Sequence, residues 1–322
     1  MAPAPLSRRQ MLGLLGAGLL TACSPARQRE RGTEAASSTT TAPTTTTTAS
    51  PKFLSDLPAF DTVNPMSGFV AFGDFGGGPA QGAVAAGMLQ WTREGHRVDA
   101  LVTTGDNVYD FGEPKYFEAY LKAPYRALQT TGRPMWATLG NHDVAAGHGA
   151  EQLKFLDLPA LPYAKTLPGV RLLFLDANRP GDETQKQWLA EQLAAPAPPL
   201  FTVAVFHQPV FSCGIHGRTP EVIEHWYPML NSGQVSLVLT GHDHDYERFL
   251  SAEGTTYIVT GGGGRNLYPL FPLCNPPEKR AGAVKHHFTG IEVYSDRMAL
   301  TVVAVDGSII DHVDIPAPLP AP

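Results

Sequence analysis

Five short segments place metal-ligating side chains directly after apolar runs: Gly73-Asp74-Phe75-Gly76, Gly105-Asp106-Asn107-Val108-Tyr109, Gly140-Asn141-His142-Asp143, Val205-Phe206-His207-Gln208-Pro209 and Gly241-His242-Asp243-His244. Their oxygen and imidazole donors suit Mn, Fe or Zn, and the absence of clustered thiols argues against a structural zinc site built on cysteine. A pair of ions needs one shared carboxylate and several terminal ligands. These segments contain Asp, Asn, His and Tyr enough for both. Two ions a few ångströms apart acidify a water and clamp both oxygens of an in-line displacement, which is the chemistry of phosphoester hydrolysis. Any one segment is an ordinary polar turn. Five of them in one chain, each behind a strand-like run, point to one converging site.

The elements that must carry these segments follow from hydrophobic periodicity. Residues 69–72, 100–104, 135–139, 171–175, 200–206, 235–240 and 255–260 read as strands. Helices are predicted over 80–93, where Ala83, Val84, Met88 and Trp91 share a face, and over 115–128, 183–194 and 220–230. The closing segments 290–294, 298–305 and 308–313, separated by turns at Ser295-Asp296 and Asp306-Gly307, read as an antiparallel meander. Parallel units followed by an antiparallel portion predict an α/β fold in which two packed mixed sheets are flanked by helices. Sites in open α/β sheets form at the carboxyl ends of strands. All five polar segments fall there, so they can converge although they run from residue 73 to 244.

With 43% hydrophobic and 17% charged residues in 322, the chain has ample apolar content for a large core. Its 24 basic residues face 30 acidic ones, a net charge of −6, which argues against a general nucleic-acid binder. Arg8, Arg9, Arg27, Arg29, Arg31, Glu30 and Glu34 all lie before residue 51, leaving 19 basic against 28 acidic residues for the remainder. Ser7-Arg8-Arg9-Gln10-Met11-Leu12 and the apolar stretch 12–22 read as a secretory signal resembling the twin-arginine type. The apolar run is shorter than the roughly 20 residues that span a bilayer. Leu20-Thr21-Ala22-Cys23 resembles a bacterial lipobox, so residues 1–23 are expected to be a leader with Cys23 as a lipid anchor on an exported protein. Residues 24–52, rich in Ser, Thr and Pro, read as a solvated stalk. Residues 53–317 form the expected catalytic domain, and 318–322 a tail. Cys213 and Cys274 then remain, either as a disulfide or as two free thiols.

The five segments resemble those of the calcineurin-like metallophosphoesterases and, within them, the purple acid phosphatases of the small, animal-type, single-domain form. General members carry a histidine two residues after the first Asp. Here Gly76 stands at that position and Tyr109 follows in the second segment, as in the purple branch. The resemblance implies the αββα sandwich of that family and a dinuclear site. Asp74, Tyr109 and His244 are expected to hold a ferric ion, Asp106 to bridge, and Asn141, His207 and His242 to hold a divalent Fe, Zn or Mn ion. It further implies an acid phosphomonoesterase acting on a small phosphoester, its nucleophile a hydroxide held by the ions. A phosphodiesterase or nucleotidase of the same fold is the alternative among enzymes, and a non-catalytic metal- or partner-binding surface lipoprotein is the alternative from another class.

His142 and His216 are the candidates for contacting phosphate and handling the leaving-group proton, since imidazole titrates near working pH. His216 lies nine residues past His207, the spacing of the animal-type members. Asp143, Asp243 and Asp245 are expected to hydrogen-bond metal-held imidazoles, and Asp110 to be a turn residue. Tyr246, Phe211 and Tyr268 are read as pocket wall or plain packing. His286-His287 reads as a surface pair at a sheet edge. Residues 261–264 read as a tight glycine turn beside the pocket, since no Lys-Ser or Lys-Thr follows to make a nucleotide-binding loop.

Overall fold

The computed structural model describes residues 63–195, 200–232 and 234–318. The predicted leader with Cys23, the stalk and residues 319–322 of the tail lie outside the described residues. Thirteen strands form two sheets: β1 (Ser67–Phe72), β2 (Ala100–Thr103), β3 (Met135–Ala137), β4 (Tyr163–Leu167), β5 (Val170–Phe174), β6 (Phe201–Val205), β7 (Leu237–Thr240), β8 (Tyr246–Leu250), β9 (Thr256–Thr260), β10 (Lys279–Ala283), β11 (His287–Val293), β12 (Arg297–Ala304) and β13 (Ile309–Pro316). One sheet has the order β13-β12-β11-β1-β2-β3 and the other β10-β8-β9-β7-β6-β5-β4. β1, β2 and β3 run parallel, as do β5, β6, β7 and β9.

Alternation along the strands builds three layers of core, because successive side chains point to opposite faces. Phe69 and Ala71 of β1 join Val203 and Val205 of β6 in the apolar layer between the sheets. Val70 and Phe72 turn outward onto α1 (Gln81–Arg93), where Val84, Ala85, Met88 and Trp91 meet them. Ala204 and Phe206 turn outward on the other side, against Leu189 of α5 (Glu183–Ala194) and Val222, Trp226 and Leu230 of α6 (Pro220–Leu230). α5 starts where Asp182 accepts the Gln185 N–H, and α6 starts with Pro220, which has no N–H to leave unpaired. The predicted sandwich is the observed one.

The differences from the sequence reading have local causes. The helix predicted over 115–128 breaks into a 3-10 turn at Pro114–Tyr116, a π turn at Glu118–Lys122 and the short α2 (Arg126–Gln129). Pro124 lacks the N–H needed to continue the ladder. Strands β4, β8 and β10 were not legible, β10 because Lys279-Arg280-Ala281-Gly282-Ala283 has little strand propensity. The final meander joins the sheet of β1, pairing β11 with β1 rather than with the strands that precede it in sequence.

His287 departs from the predicted surface pair. It lies fully buried on β11, between β1 and β12, with Nε2 3.1 Å from Thr260 Oγ1 and Nδ1 2.9 Å from the Lys285 carbonyl. Burial pushes this imidazole down to about 4, whereas the unfolded chain titrates near ~6.5. Between those values the unfolded state binds a proton that the folded state refuses. Stability therefore falls as pH drops from about 6.5 to about 4, by roughly 3 kcal/mol from this group, and stays level below. Urea unfolding of wild type and His287→Gln across that range should show the shallower pH slope in the variant; equal slopes would remove His287 as the cause.

Cys213 and Cys274 are disulfide-bonded, with their Cα atoms 5.5 Å apart and 61 residues separating them in sequence. A closed loop of that length restricts the unfolded chain by about 4 kcal/mol in the chain-entropy model. Reduction is expected to lower the unfolding free energy by that order, and an unchanged denaturation midpoint in thiol would contradict it.

Candidate metal centre

Each of the five polar segments begins where a strand ends: β1, β2 and β3 of one sheet, β6 and β7 of the other. Asp74, Asp106 and His242 adopt left-handed backbone conformations, with φ of +58°, +50° and +74°. This region costs a non-glycine residue about 1–2 kcal/mol. Asp157 is the one other such residue among those described. Concentrated strain of this kind accompanies functional loops. Two glycines make the convergence possible: a Cβ on Gly140 would lie 2.1 Å from Asp106 Oδ1, and one on Gly261 would lie 2.1 Å from the Asp243 carbonyl oxygen. The 261–264 turn thus lies against the site, as its composition predicts.

The side chains gather in two groups that share a middle. On one side Tyr109 donates its hydroxyl to Asp74 Oδ1 at 3.2 Å and lies 3.0 Å from His244 Nε2, which is itself 3.5 Å from Asp74 Oδ1. On the other, His207 Nε2 lies 3.4 Å from Asp106 Oδ2 and 3.3 Å from His242 Nδ1. His207 Nε2 is also 4.0 Å from Asp74 Oδ1, and one ligand atom each of Asp74, Asp106 and His207 fall within 4.8 Å of one another. Asn141 opens the short helix α3 (Asn141–Val144), which is followed by α4 (Gly149–Phe155). Its Oδ1 is buried with no hydrogen-bond partner, a costly arrangement unless something else accepts its lone pairs. The donor set and this orphaned oxygen fit a pair of cations.

Electrostatics point the same way. Burial pushes His242 down to about 2 and His244 down to about 4, so both are neutral imidazoles with a free lone pair. Burial alone would lower His207 as well, but the carboxylates of Asp106 and Asp74 outweigh it and hold it up near 10. Burial raises Asp74 well above the carboxylate range, and burial with the nearby Asp74 and Asp106 raises the Tyr109 phenol. A bound cation would reverse the upward shifts of Asp74, Tyr109 and His207 and reinforce the downward ones of His242 and His244.

His142 stands at the mouth, partly exposed, with Nδ1 2.7 Å from the Asp110 carbonyl and Nε2 3.9 Å from Asp106 Oδ2, while its backbone N–H donates to Asp106 Oδ1 at 2.9 Å. His216 is exposed on the loop after β6, its ring 4.2 Å from that of His242. His142 thus lies beside Asp106 and His216 beside His242.

The three aspartates inside the motifs do not bond imidazoles as expected. Asp143 accepts the backbone N–H groups of Asn107, Val108 and Gly140; Asp243 accepts those of His216 and Gly217 and the Ser212 hydroxyl. Asp245 has both carboxylate oxygens buried without a partner. Asp143 and Asp243 are thus taken up by the backbone N–H groups of adjoining loops. The imidazoles are oriented by backbone carbonyls instead: His207 Nδ1 by Thr104 at 2.8 Å and His244 Nδ1 by Asn266 at 2.6 Å. Asp110 is more than a turn, since its carboxylate also pairs with Arg265 Nη2 at 2.6 Å. Arg265 escaped the sequence reading, yet its guanidinium lies 4.5 Å over the Tyr109 ring and its backbone N–H donates to the Asp74 carbonyl. Its one signal was its position directly after the glycine turn. Tyr268 stacks on His244 at 3.9 Å and is pocket wall, whereas Tyr246 and Phe211 are core.

Two sheets that converge five loops on a carboxylate and imidazole cluster define a metal-dependent hydrolase. A model of the calcineurin-like phosphoesterases matches residues 68–246, more than half of the chain, and the chain belongs to that family. It is a phosphatase-type phosphoester hydrolase, and proteins of this kind act on small phosphoesters. The chain is 25% identical over 281 residues to purple acid phosphatase 3 of Arabidopsis thaliana, covering 76% of each. It is 24% identical over 311 residues to human tartrate-resistant acid phosphatase type 5, covering 80% of this chain and 93% of that protein. A cAMP/cGMP dual specificity phosphodiesterase of Mycobacterium tuberculosis is 33% identical over 172 residues, 49% of this chain and 52% of that one. The structure of a purple acid phosphatase from yellow lupin superposes with a TM-score of 0.70 at 17% identity, covering 78% of this chain and 53% of that chain, and shows the shared fold.

Proposed function

We propose that the chain is an exported acid phosphomonoesterase with an Fe(III)–M(II) centre, M being Fe, Zn or Mn. The observation that carries this reading is the pairing of two ligand groups about Asp106: Asp74, Tyr109 and His244 on one side, His207, His242 and the unpartnered Asn141 Oδ1 on the other. A phenolate is a hard anionic donor that favours the trivalent state, and this assigns Tyr109 to iron. When bound, the ions supply Lewis acidity, which acidifies water and draws charge from the phosphoryl oxygens. The protein's own contribution is placement. Asn141 at the start of α3 would hold an ion, while His142 beside it and His216 on the loop after β6 would contact the ester. His142, held by the Asp110 carbonyl through Nδ1, is left with Nε2 to give a proton to the departing alcohol. The leader and Cys23 support a position on the outer face of a membrane.

Turnover of an aryl monophosphate, a bis-aryl phosphate and a cyclic nucleotide below neutral pH tests the substrate reading. Monoester preference is expected, and His142→Ala should lower monoester kcat by roughly 10²-fold or more. The phosphodiesterase relative favours a second reading, diester hydrolysis at the same site. A diester preference would establish it at the expense of the first.

A further inference from the structure

Nine large apolar side chains are markedly exposed among the described residues, and four of them sit on the loops that build the metal centre. Phe111 is 57% exposed and follows Tyr109 by two residues; Ile215 is 44% exposed and immediately precedes His216. Phe271 and Leu273 are 54% and 99% exposed on the segment after Tyr268. That segment is fixed to the His216 loop by the Cys213–Cys274 disulfide and by the Phe271 N–H, which donates to the Cys213 carbonyl at 2.9 Å. It is fixed to the centre by the Tyr268 N–H, which donates to the His244 carbonyl, and by the stack of Tyr268 on His244. Asp110 and Arg265 pair on the Phe111 side, so the charge beside that apolar side chain is already satisfied.

Exposed apolar side chains scattered singly need no explanation, but Ile215, Phe271 and Leu273 lie on two segments tied to each other beside His216 and His244, where apolar exposure points to a binding surface. Here the occupant follows from the reaction: a phosphate seated between the ligand groups must send its organic substituent outward across these loops. We propose that Phe111, Ile215, Phe271 and Leu273 form a subsite for the apolar part of the alcohol, and select phosphomonoesters of hydrocarbon-bearing alcohols over those of polyols and sugars. This selectivity rests on the phosphomonoesterase reading above. The disulfide acts in it as a tether, holding Phe271 and Leu273 beside the loop of Ile215. Tyr268 forms the inner wall, continuous with His244 and His216.

The experiment compares kcat/KM for n-butyl, n-hexyl and n-octyl phosphate, below their aggregation concentrations, with glycerol 2-phosphate as the polar reference. Full burial of a methylene corresponds to about fourfold in affinity, and a half-open rim to about twofold per methylene, carried in KM rather than kcat. The combined variant Ile215→Ser, Phe271→Ser and Leu273→Ser alters exposed side chains only. It should flatten the chain-length dependence and leave glycerol 2-phosphate turnover unchanged. A flat dependence in wild type, or an equal dependence in the variant, overturns the subsite and leaves the phosphomonoesterase reading intact. Failure of wild type to cleave any of these monoesters overturns both.

Discussion

Asp106→Asn is expected to leave a folded protein whose turnover is lower by at least about 10³-fold, beyond the roughly 10²–10³ that removal of a single oriented donor costs in other hydrolytic sites. Three features place Asp106 at the centre of the site. It is buried, its Oδ2 faces His207 Nε2 at 3.4 Å, and its Oδ1 takes the His142 N–H. It is also the carboxylate assigned to both ions, so the amide takes away a charge on which the two ligand groups jointly depend. The fold should survive, because Asn keeps the shape and can still accept from the His142 N–H, and His207 can lose its proton once the adjacent charge is gone. Steady-state kinetics with metal analysis and circular dichroism on one preparation distinguish the outcomes. Turnover near wild type in a variant of normal fold would displace Asp106 from the reaction.

Removal of the ions should have the next largest effect. Chelation is expected to abolish turnover, and restoring iron with a divalent ion should recover it together with visible colour from Tyr109 bound to the ferric ion. Tyr109→Phe should lose that colour even when iron is bound, since the phenolate that supplies the transition is gone. Thermal unfolding provides an independent reading: an ion at about 10³ times its Kd stabilises the folded state by about 4 kcal/mol. The effect has a structural basis here, because two carboxylates, a phenol and an orphaned amide oxygen are buried in the two ligand groups, and the pair of ions would satisfy them. A colourless, iron-free preparation with full turnover would overturn the ferric assignment and leave the hydrolase itself standing.

Much of the fold was readable because the core strands are short, apolar and flanked by turn residues, and because α5 and α6 carry clear start signals. Of the strands missed, β4 and β10 are sheet edges and β8 lies between β10 and β9. β10 is stabilised by pairing with β8 and not by its own composition, and that pairing spans about thirty residues of intervening chain. His287 was misread because the sequence shows a pair of polar residues before a strand but not that β11 is enclosed between β1 and β12. The helix at 115–128 was misread because its apolar spacing outweighed Pro124, which a local rule would have flagged.

The ligand types themselves came from sequence, since Asp, Asn, His and Tyr at strand ends reveal donor chemistry without coordinates. Which donors face which depends on distances between loops more than a hundred residues apart, as for Tyr109 and His244 or Asp106 and His207. The same holds for what orients them. Thr104 and Asn266 act through backbone carbonyls, for which a side-chain alphabet carries no signal, and Arg265 reaches Tyr109 only because the glycine turn brings β9 and the following loop against Asp74. Local chemistry and periodicity are properties of neighbouring residues and survive in one dimension. Contact between distant residues is a property of packing, and the two sheets had to close on each other before five polar turns became a single centre with an apolar rim.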